Sequence, residues 1–340
     1  MEEEKNKKNC NENTNKKEEK KSSSVVKVFI FLVIAVVCVG AYFGITKWYE
    51  DKFQNKNVEV KEEAEEITNE PLYTFEEFPK VDASLATQPL VEAFMSNFTG
   101  KNDIDFKNYD FSNTHPGYVK LVNDEVDLIV VTQPSEEELQ LAKEKGVELE
   151  VIPVVKEGFV FYVNAENIVD NLTVSQIQDI YSGKITNWKD VGGENVDIKA
   201  YQRPVNSGSQ TGMLALVMKD IPLMKAPKEN LVETMAAIVN LVSSYDNGKN
   251  SIGYSYYYYA TTMYDTIDKD VASRIKFLGI NGVKPNEKTI KDGSYPFTTA
   301  YYIVINKADD ENSASRKLAN YMLSARGQKV AKEAGYVPVK

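Results

Sequence analysis

Short β-like runs alternate with amphipathic helical runs along most of the chain after residue 72. Strand patterns cover 78–82, 127–132, 149–154, 158–163 and 299–305, and helical patterns cover 89–98, 135–145, 231–243 and 313–325. This alternation predicts an α/β fold with largely parallel sheets. The final strand and helix follow a long central stretch, so we expect two lobes with a ligand cleft at strand ends and helix N-termini.

Composition narrows the class of protein. The 340 residues have room for two globular domains with tails, and 42% hydrophobic residues suit a chain that buries a core. A formal charge of −10, with no basic cluster interleaved with aromatics in the globular part, argues against nucleic-acid binding. Both cysteines, Cys10 and Cys38, precede the globular part, which predicts no disulfide there, no transition-metal site and no cofactor.

The N-terminal region has the composition of a tail and a membrane anchor. Residues 1–24 are almost entirely Glu, Lys, Asn and Ser, which predicts a disordered tail. Residues 25–46 are nearly all apolar and predict a single transmembrane helix, with Trp48 and Tyr49 at the far interface. A buried core helix is the alternative, but the run has no polar face.

Charge asymmetry sets the expected orientation of this helix. Lysines precede the span and acids dominate after it, which places the tail in the cytoplasm and the C-terminal domain outside. A cleaved signal peptide competes with an uncleaved anchor, but the polar leader is long and no small-x-small site closely follows. We therefore expect a single-pass anchor on a surface of the Gram-positive type, with residues 47–71 as a polar spacer.

The segment 201–212 suggests an anion site. Arg203 is followed by small hydroxyl residues, Ser207, Ser209 and Thr211, which lead into the apolar run 213–218. Serine and threonine are good N-cap residues, and the first N–H groups of a helix lack intrahelical partners. Such a helix start favours an anion, although a plain capped helix with an exposed arginine is the alternative.

Several spaced motifs resemble one known family. Residues 179–193 read DIYSGKITNWKDVGG, and further matches lie at 82–87, at Arg203 with 207–211, at 251–254 and at 326–339. These motifs resemble the phosphate-binding proteins of ABC transporters, the PstS-like group of type II periplasmic-binding proteins. The resemblance extends from about residue 78 to the C-terminus.

The resemblance implies a two-lobed α/β fold of the Venus-flytrap type. Lobe 1 would comprise 72–157 and 297–340, and lobe 2 would comprise 158–296. The ligand would be inorganic phosphate or a related oxyanion, clamped between the lobes and passed to a transporter permease without a catalytic step. The candidate binding residues are Ser84, Leu85, Ala86, Thr87, Thr114 and Thr132 in lobe 1, and Arg203, Ser207, Ser209, Gln210 and Thr211 in lobe 2.

Three positions depart from the family pattern. Gln210 stands where the family commonly has glycine, and Arg203 precedes Ser209 by six residues where four are expected. Thr132 stands where phosphate binders of this group have a carboxylate that accepts a proton from the ligand. Another acceptor replaces this carboxylate, or the site is less selective for phosphate, or the ligand is a different anion.

Other functions remain open at this stage. A membrane-tethered sensor or interaction module could use the same clamshell, and the cytoplasmic tail favours it slightly. A phosphatase lacks metal ligands and a visible nucleophile–base pair. His115, next to a proline, suits a surface or supporting role better than catalysis, and the tyrosines at 254–259 suit packing at a lobe crossover better than stacking on a ligand.

Overall fold

The computed structural model describes residues 70–74, 76–100, 109–245, 248–263 and 269–340. The predicted tail, the predicted transmembrane helix and nearly all of the predicted spacer lie outside the described residues, so those interpretations stay predictions. Within the described ranges no helix combines the length and apolarity needed to cross a membrane. The described residues all fall in one compact unit, Asn69–Lys340.

The strands and helices follow the predicted alternation. The strands are β1 (Val81–Ala83), β2 (Leu128–Val131), β3 (Leu149–Asn164), β4 (Asn171–Leu172), β5 (Lys199–Ala200), β6 (Ser251–Tyr256), β7 (Ile275–Phe277), β8 (Gly279–Ile280), β9 (Thr298–Asn306) and β10 (Val337–Pro338). The α-helices are α1 (Gln88–Thr99), α2 (Thr114–Val122), α3 (Glu136–Glu144), α4 (Val174–Tyr181), α5 (Gly208–Gly212), α6 (Met235–Ser243), α7 (Lys269–Ser273), α8 (Glu287–Lys291), α9 (Ala314–Leu323) and α10 (Ala325–Glu333). Two 3₁₀ turns (Trp188–Val191, Lys228–Asn230) and two π-helical turns (Met213–Met218, Tyr259–Met263) complete the set.

The long strand β3 joins the two halves of the main sheet. The strand order is β1-β2-β9-β3-β6-β5, with β10 and β7 also paired to β3. Residues 149–158 of β3 pair with β9, and residues 159–163 pair with β6. The partner therefore changes between Gly158 and Phe159, next to the predicted lobe boundary. This change supports that boundary, which remains a prediction.

The prediction of largely parallel sheets is wrong for the centre of the main sheet. β1–β2 and β5–β6 are parallel, but β9 runs antiparallel to both β2 and β3, and β6 runs antiparallel to β3. The two predicted runs 149–154 and 158–163 form one continuous strand, with a register shift between Pro153 and Val155. Hydrophobic pattern reports burial but not direction, which depends on where the chain returns.

The tyrosines at the crossover pack in the core, as predicted. Tyr254 and Tyr256 are buried, and their rings lie 5.4 Å from the ring of Phe159. Tyr258 stacks on Tyr336 with 3.7 Å between ring centroids. The aromatic side chains therefore fill the region where β3 and β6 cross between the two halves of the sheet.

Glu157 is a buried carboxyl at the same crossover. Its Oε1 accepts the N–H groups of Gly158 (2.8 Å) and Tyr258 (3.2 Å), which ties β3 to the chain that leaves β6. Burial raises the pKa of Glu157 from its ordinary value to about 7, although the backbone donors oppose the shift. The folded protein therefore holds a proton here at a pH where the unfolded chain has lost it.

This pKa predicts a pH-dependent stability. The stabilisation from the protonated carboxyl is fully present below about pH 4.5 and is lost as the pH rises through about 7. Unfolding free energy should fall by on the order of 1 kcal/mol per pH unit across that window. In Glu157→Gln, which cannot ionise, this contribution should disappear when urea unfolding is compared at low and neutral pH.

Glu150→Gln is the matched control, because Glu150 lies in the same strand but is partly exposed and paired with Arg316. It should keep the wild-type decline. An unchanged decline in Glu157→Gln would contradict the assignment.

Candidate functional site

A cavity of about 470 Å³ lies between segments from both halves of the main sheet. Its lining comprises 84–86, 112–116, Thr132, Arg203, 205–209, 233–235 and Tyr256. Of the residues that the sequence predicted, eight line it: Ser84, Leu85, Ala86, Thr114, Thr132, Arg203, Ser207 and Ser209. Thr87, Gln210 and Thr211 are not among its lining residues.

The turn before α1 is braced from behind by Thr87. The Thr87 hydroxyl donates to the Val130 carbonyl and accepts the Ser84 N–H at 3.0 Å, and it lies 2.9 Å from the Ser84 hydroxyl. Thr87 thereby ties the turn to β2 and leaves Leu85 and Ala86 facing the cavity. Its place in the structure is that of a support for the turn.

Two asparagines set the turns that enter the cavity. Asn113 (φ 77°) precedes Thr114 at the start of α2, and Asn206 (φ 64°) precedes Ser207, the N-cap of α5. Asparagine tolerates the left-handed region better than other residues with a side chain. Strained backbone of this kind is common where a ligand is held.

The two serines at the start of α5 have different hydrogen bonding. The Ser207 hydroxyl accepts the Gln210 N–H at 3.3 Å and donates to the Pro204 carbonyl at 2.9 Å, so it caps the helix. The Ser209 hydroxyl is buried and has no hydrogen-bond partner among the described residues. Ser207 lies four residues after Arg203, and Ser209 lies six residues after it.

Gln210 and Tyr254 hold the backbone of Arg203. The Gln210 Oε1 accepts the Arg203 N–H at 3.1 Å and a hydrogen bond from the Tyr254 hydroxyl, which itself lies 3.0 Å from the Arg203 nitrogen. The side-chain amide of Gln210, the residue that departs from the family pattern, therefore bonds to the backbone of Arg203. Thr211 is buried and continues the helix, with its N–H bonded to the Ser207 carbonyl.

Two nitrogen donors of the Arg203 guanidinium have no hydrogen-bond acceptor in the described part of the chain. These are Nε and Nη1, and both are buried. Burial lowers the pKa of Arg203 from its ordinary value, because the charged form is deprived of water. A buried charge with open donors is costly unless an acceptor meets it, so this group favours an anion in the cavity.

Gly208 marks a close approach between the two halves. A Cβ at this position would lie 2.8 Å from the hydroxyl oxygens of Thr114 and Thr132, which is too short for any real side chain. The Thr132 hydroxyl is also buried without a hydrogen-bond partner among the described residues. Sequence reasoning did not select Gly208, although its place between two predicted serines was a signal.

A hydrogen bond bridges the cavity rim. Asn206 Nδ2 donates to a carboxylate oxygen of Glu137 on α3. Neither residue was selected from the sequence. Residues 233–235 were also not selected from the sequence. Thr234 is the N-cap of α6, and its hydroxyl accepts the Ala237 N–H at 3.1 Å. A capping threonine was the one sequence signal in this segment, and it did not link the segment to the cavity.

A further ionisable residue at the cavity is His115, at the second position of α2. It lines the cavity, and its Nδ1 lies 3.1 Å from Oε1 of the buried Glu138 on α3. No group of three or more His, Cys, Asp or Glu in the described ranges is arranged to hold a metal ion. The cavity lining therefore combines one guanidinium, one imidazole, several hydroxyls and the carboxylate of Glu233. The guanidinium, the imidazole and the hydroxyls are groups suited to an oxyanion.

The chain is similar to known phosphate-binding proteins. A phosphate-binding protein PstS of Staphylococcus saprophyticus is 29% identical over 267 residues, which cover 76% of this chain and 79% of that protein. A Clostridium perfringens substrate-binding protein assigned to a phosphate ABC transporter, solved with phosphate bound, shares the fold (TM-score 0.57, 23% identity, 76% of this chain and 98% of that chain).

A phosphate transport receptor of Vibrio cholerae also shares the fold (TM-score 0.54, 21% identity, 76% of this chain and 98% of that chain). At these identities the structures show the fold alone. The family described as PBP superfamily domain matches residues 80–326, well over half of the chain. The predicted resemblance and the two-lobed α/β fold are thus confirmed, and the chain belongs to the PBP superfamily of periplasmic-binding-protein folds.

Proposed function

We propose that this chain is an extracytoplasmic substrate-binding protein that captures inorganic phosphate and delivers it to an ABC transporter. The observation that carries the proposal is the buried guanidinium of Arg203, whose Nε and Nη1 have no acceptor among the described residues. Two further buried hydroxyls without partners, those of Ser209 and Thr132, line the same cavity. A tetrahedral oxyanion supplies acceptors for all of them at once.

The arrangement suits a compact anion better than a large ligand. An arginine can hold two oxygens with its planar fork, and hydroxyls and helix-start amides can bind the others without adding net charge. Gly208 and Ser209, the first two residues of α5, line the cavity. The relative from Staphylococcus saprophyticus is named for phosphate binding, which supports phosphate as the first ligand to test.

Capture requires a binding site that closes. Gly208 against Thr114 and Thr132, and Asn206 against Glu137, join segments from the two halves of the main sheet. The crossover at β3 would act as the hinge between these halves. A closed form completed by ligand would report occupancy to a permease, and no catalytic step is needed. The predicted anchor at 25–46 would hold the protein at the membrane.

Arg203→Lys should weaken phosphate binding. Lysine keeps the charge but cannot present two nitrogens in one plane, so the loss should be about tenfold or more in Kd. Arg203→Ala should lose on the order of 100-fold. Isothermal titration calorimetry of the full-length chain with phosphate measures both.

Arg274→Lys is the matched control, because that arginine pairs with Asp270 and does not line the cavity. It should leave phosphate affinity within about twofold of wild type. Wild-type affinity in Arg203→Ala would refute the assignment of the cavity as the anion site.

Gly208→Ala should also weaken phosphate binding while the fold persists. The added methyl group would meet the hydroxyls of Thr114 and Thr132 and hold the two halves apart. Overpacking of this kind costs on the order of 1–3 kcal/mol, which corresponds to roughly tenfold or more in affinity. Affinity from calorimetry, together with far-ultraviolet circular dichroism for the fold, tests this expectation.

Gly117→Ala provides the comparison, because a Cβ there would meet its nearest neighbours at 3.8 Å or more, in ordinary contact. Both glycines lie in helices near the cavity. Equal affinities in the two variants would show that the close approach at Gly208 has no part in binding.

A further inference from the structure

His115 is an ionisable side chain in the cavity to which no function has been assigned above. Among the described lining residues the ionisable side chains are His115, Arg203, Glu233 and Tyr256. His115 is one-third exposed (33%), and it stands directly after the lining residue Thr114. Its position lets it touch a bound anion and also exchange protons with water.

The partner of His115 fixes the state of its ring. Glu138 is fully buried, its Oε2 accepts the Ser135 N–H at 2.7 Å, and its Oε1 lies 3.1 Å from His115 Nδ1. Burial raises the pKa of Glu138 from its ordinary value, and the hydrogen bonds from Ser135 and His115 oppose that shift. In its ionised form the carboxylate can only accept hydrogen bonds, which places the ring proton on Nδ1. Nε2, on the other side of the ring, is then a lone pair when the ring is neutral and a second donor when it is charged.

We propose that His115, oriented by Glu138, is the proton-exchanging group of the anion site. In its neutral form it accepts a hydrogen bond from a protonated oxyanion, and in its charged form it donates one to a fully deprotonated oxyanion. The inference rests on the proposed function, because it assigns a role within that same cavity. Glu138 acts as a positioning residue that holds the ring.

The proton balance separates phosphate from sulfate. Phosphate keeps at least one proton throughout the neutral range, so it can donate to neutral His115 and needs no proton from solvent. Sulfate has no proton, so it binds well only when His115 carries one. Above the range in which imidazole is charged, each sulfate must therefore bind together with one proton from solvent, and its affinity falls as the pH rises.

The other ionisable groups around His115 are either bonded elsewhere or serve as controls for the proton exchange proposed for His115. Glu138 on α3 faces its Nδ1. The neighbouring Glu137 is engaged by Asn206. Tyr118, on the same helix as His115, donates its hydroxyl to the Thr132 carbonyl, and burial raises its pKa well above the ordinary value, so it stays neutral. Arg203 and Glu233 also line the cavity, and Glu233 is exposed, so Glu233→Gln is the control for a general charge effect.

The test is calorimetric titration of the full-length chain with phosphate and with sulfate, at about pH 6 and about pH 8.5. Two buffers of different ionisation enthalpy give the number of protons taken up. Sulfate affinity should fall at least about tenfold between the two pH values, with uptake near one proton at the higher pH. Phosphate affinity should change by less than about threefold, with little uptake.

His115→Gln keeps a polar group of similar length that cannot titrate. It should abolish both the pH dependence of sulfate affinity and the proton uptake, while phosphate still binds. Glu138→Gln has one acceptor oxygen in place of two, so it can keep either the Ser135 N–H that caps α3 or the proton of His115 Nδ1, but not both. Far-ultraviolet circular dichroism checks that the variant folds. Glu138→Gln should weaken sulfate more than phosphate at low pH, which loss of structure alone would not do. Glu233→Gln should behave as wild type.

Three results would overturn the inference while the proposed function stands. These are phosphate binding with an unchanged sulfate pH dependence in His115→Gln, sulfate affinity in the wild type that is equal at both pH values, and wild type that binds phosphate but never sulfate. If the wild type binds neither anion, the proposed function fails and this inference falls with it.

Discussion

The buried guanidinium of Arg203 is the interaction on which the functional site depends. Gln210 and Tyr254 fix the backbone of Arg203, while Nε and Nη1 find no acceptor in the described part of the protein. Burial of a cation is unfavourable unless an opposite charge or strong acceptors meet it. Holding this group in the cavity without an acceptor therefore lowers the stability of the folded protein. An oxyanion reverses that cost on binding, which gives affinity to small anions without a generally basic surface.

The fold brings the turns that precede α2 and α5 together at the cavity. Strand β3 runs through both halves of the main sheet and changes partner after Gly158, so one continuous strand connects the halves between which the cavity lies. Glu157 ties that crossover to the chain after β6. Left-handed turns at Asn113 and Asn206 then direct two helix starts inward. Small changes at the crossover would become larger movements at the cavity rim, as binding by closure requires.

Much of this could be predicted from the sequence, for identifiable reasons. Strands and helices were visible because burial follows their periodicity, and Arg203 with Ser207 and Ser209 was visible because helix-start hydroxyls near an arginine suit an anion. Strand direction was mispredicted, since it depends on the route by which β9 returns. Gln210 and Thr87 were selected as binding residues, but they hold Arg203 and the first turn from behind. Which face of a helix start meets the cavity depends on packing between distant segments, and no local pattern encodes it.

The central claim is that an oxyanion binds in the cavity against Arg203. Arsenate is a tetrahedral analogue of phosphate whose arsenic scatters X-rays anomalously, so a crystal of the full-length chain grown with arsenate would locate the anion directly. The account predicts one anomalous peak inside the cavity, with oxygens within hydrogen-bonding distance of Arg203 Nε or Nη1 and the Ser209 hydroxyl. A well-ordered crystal with the peak elsewhere, or with no peak in the cavity at saturating arsenate, would contradict it.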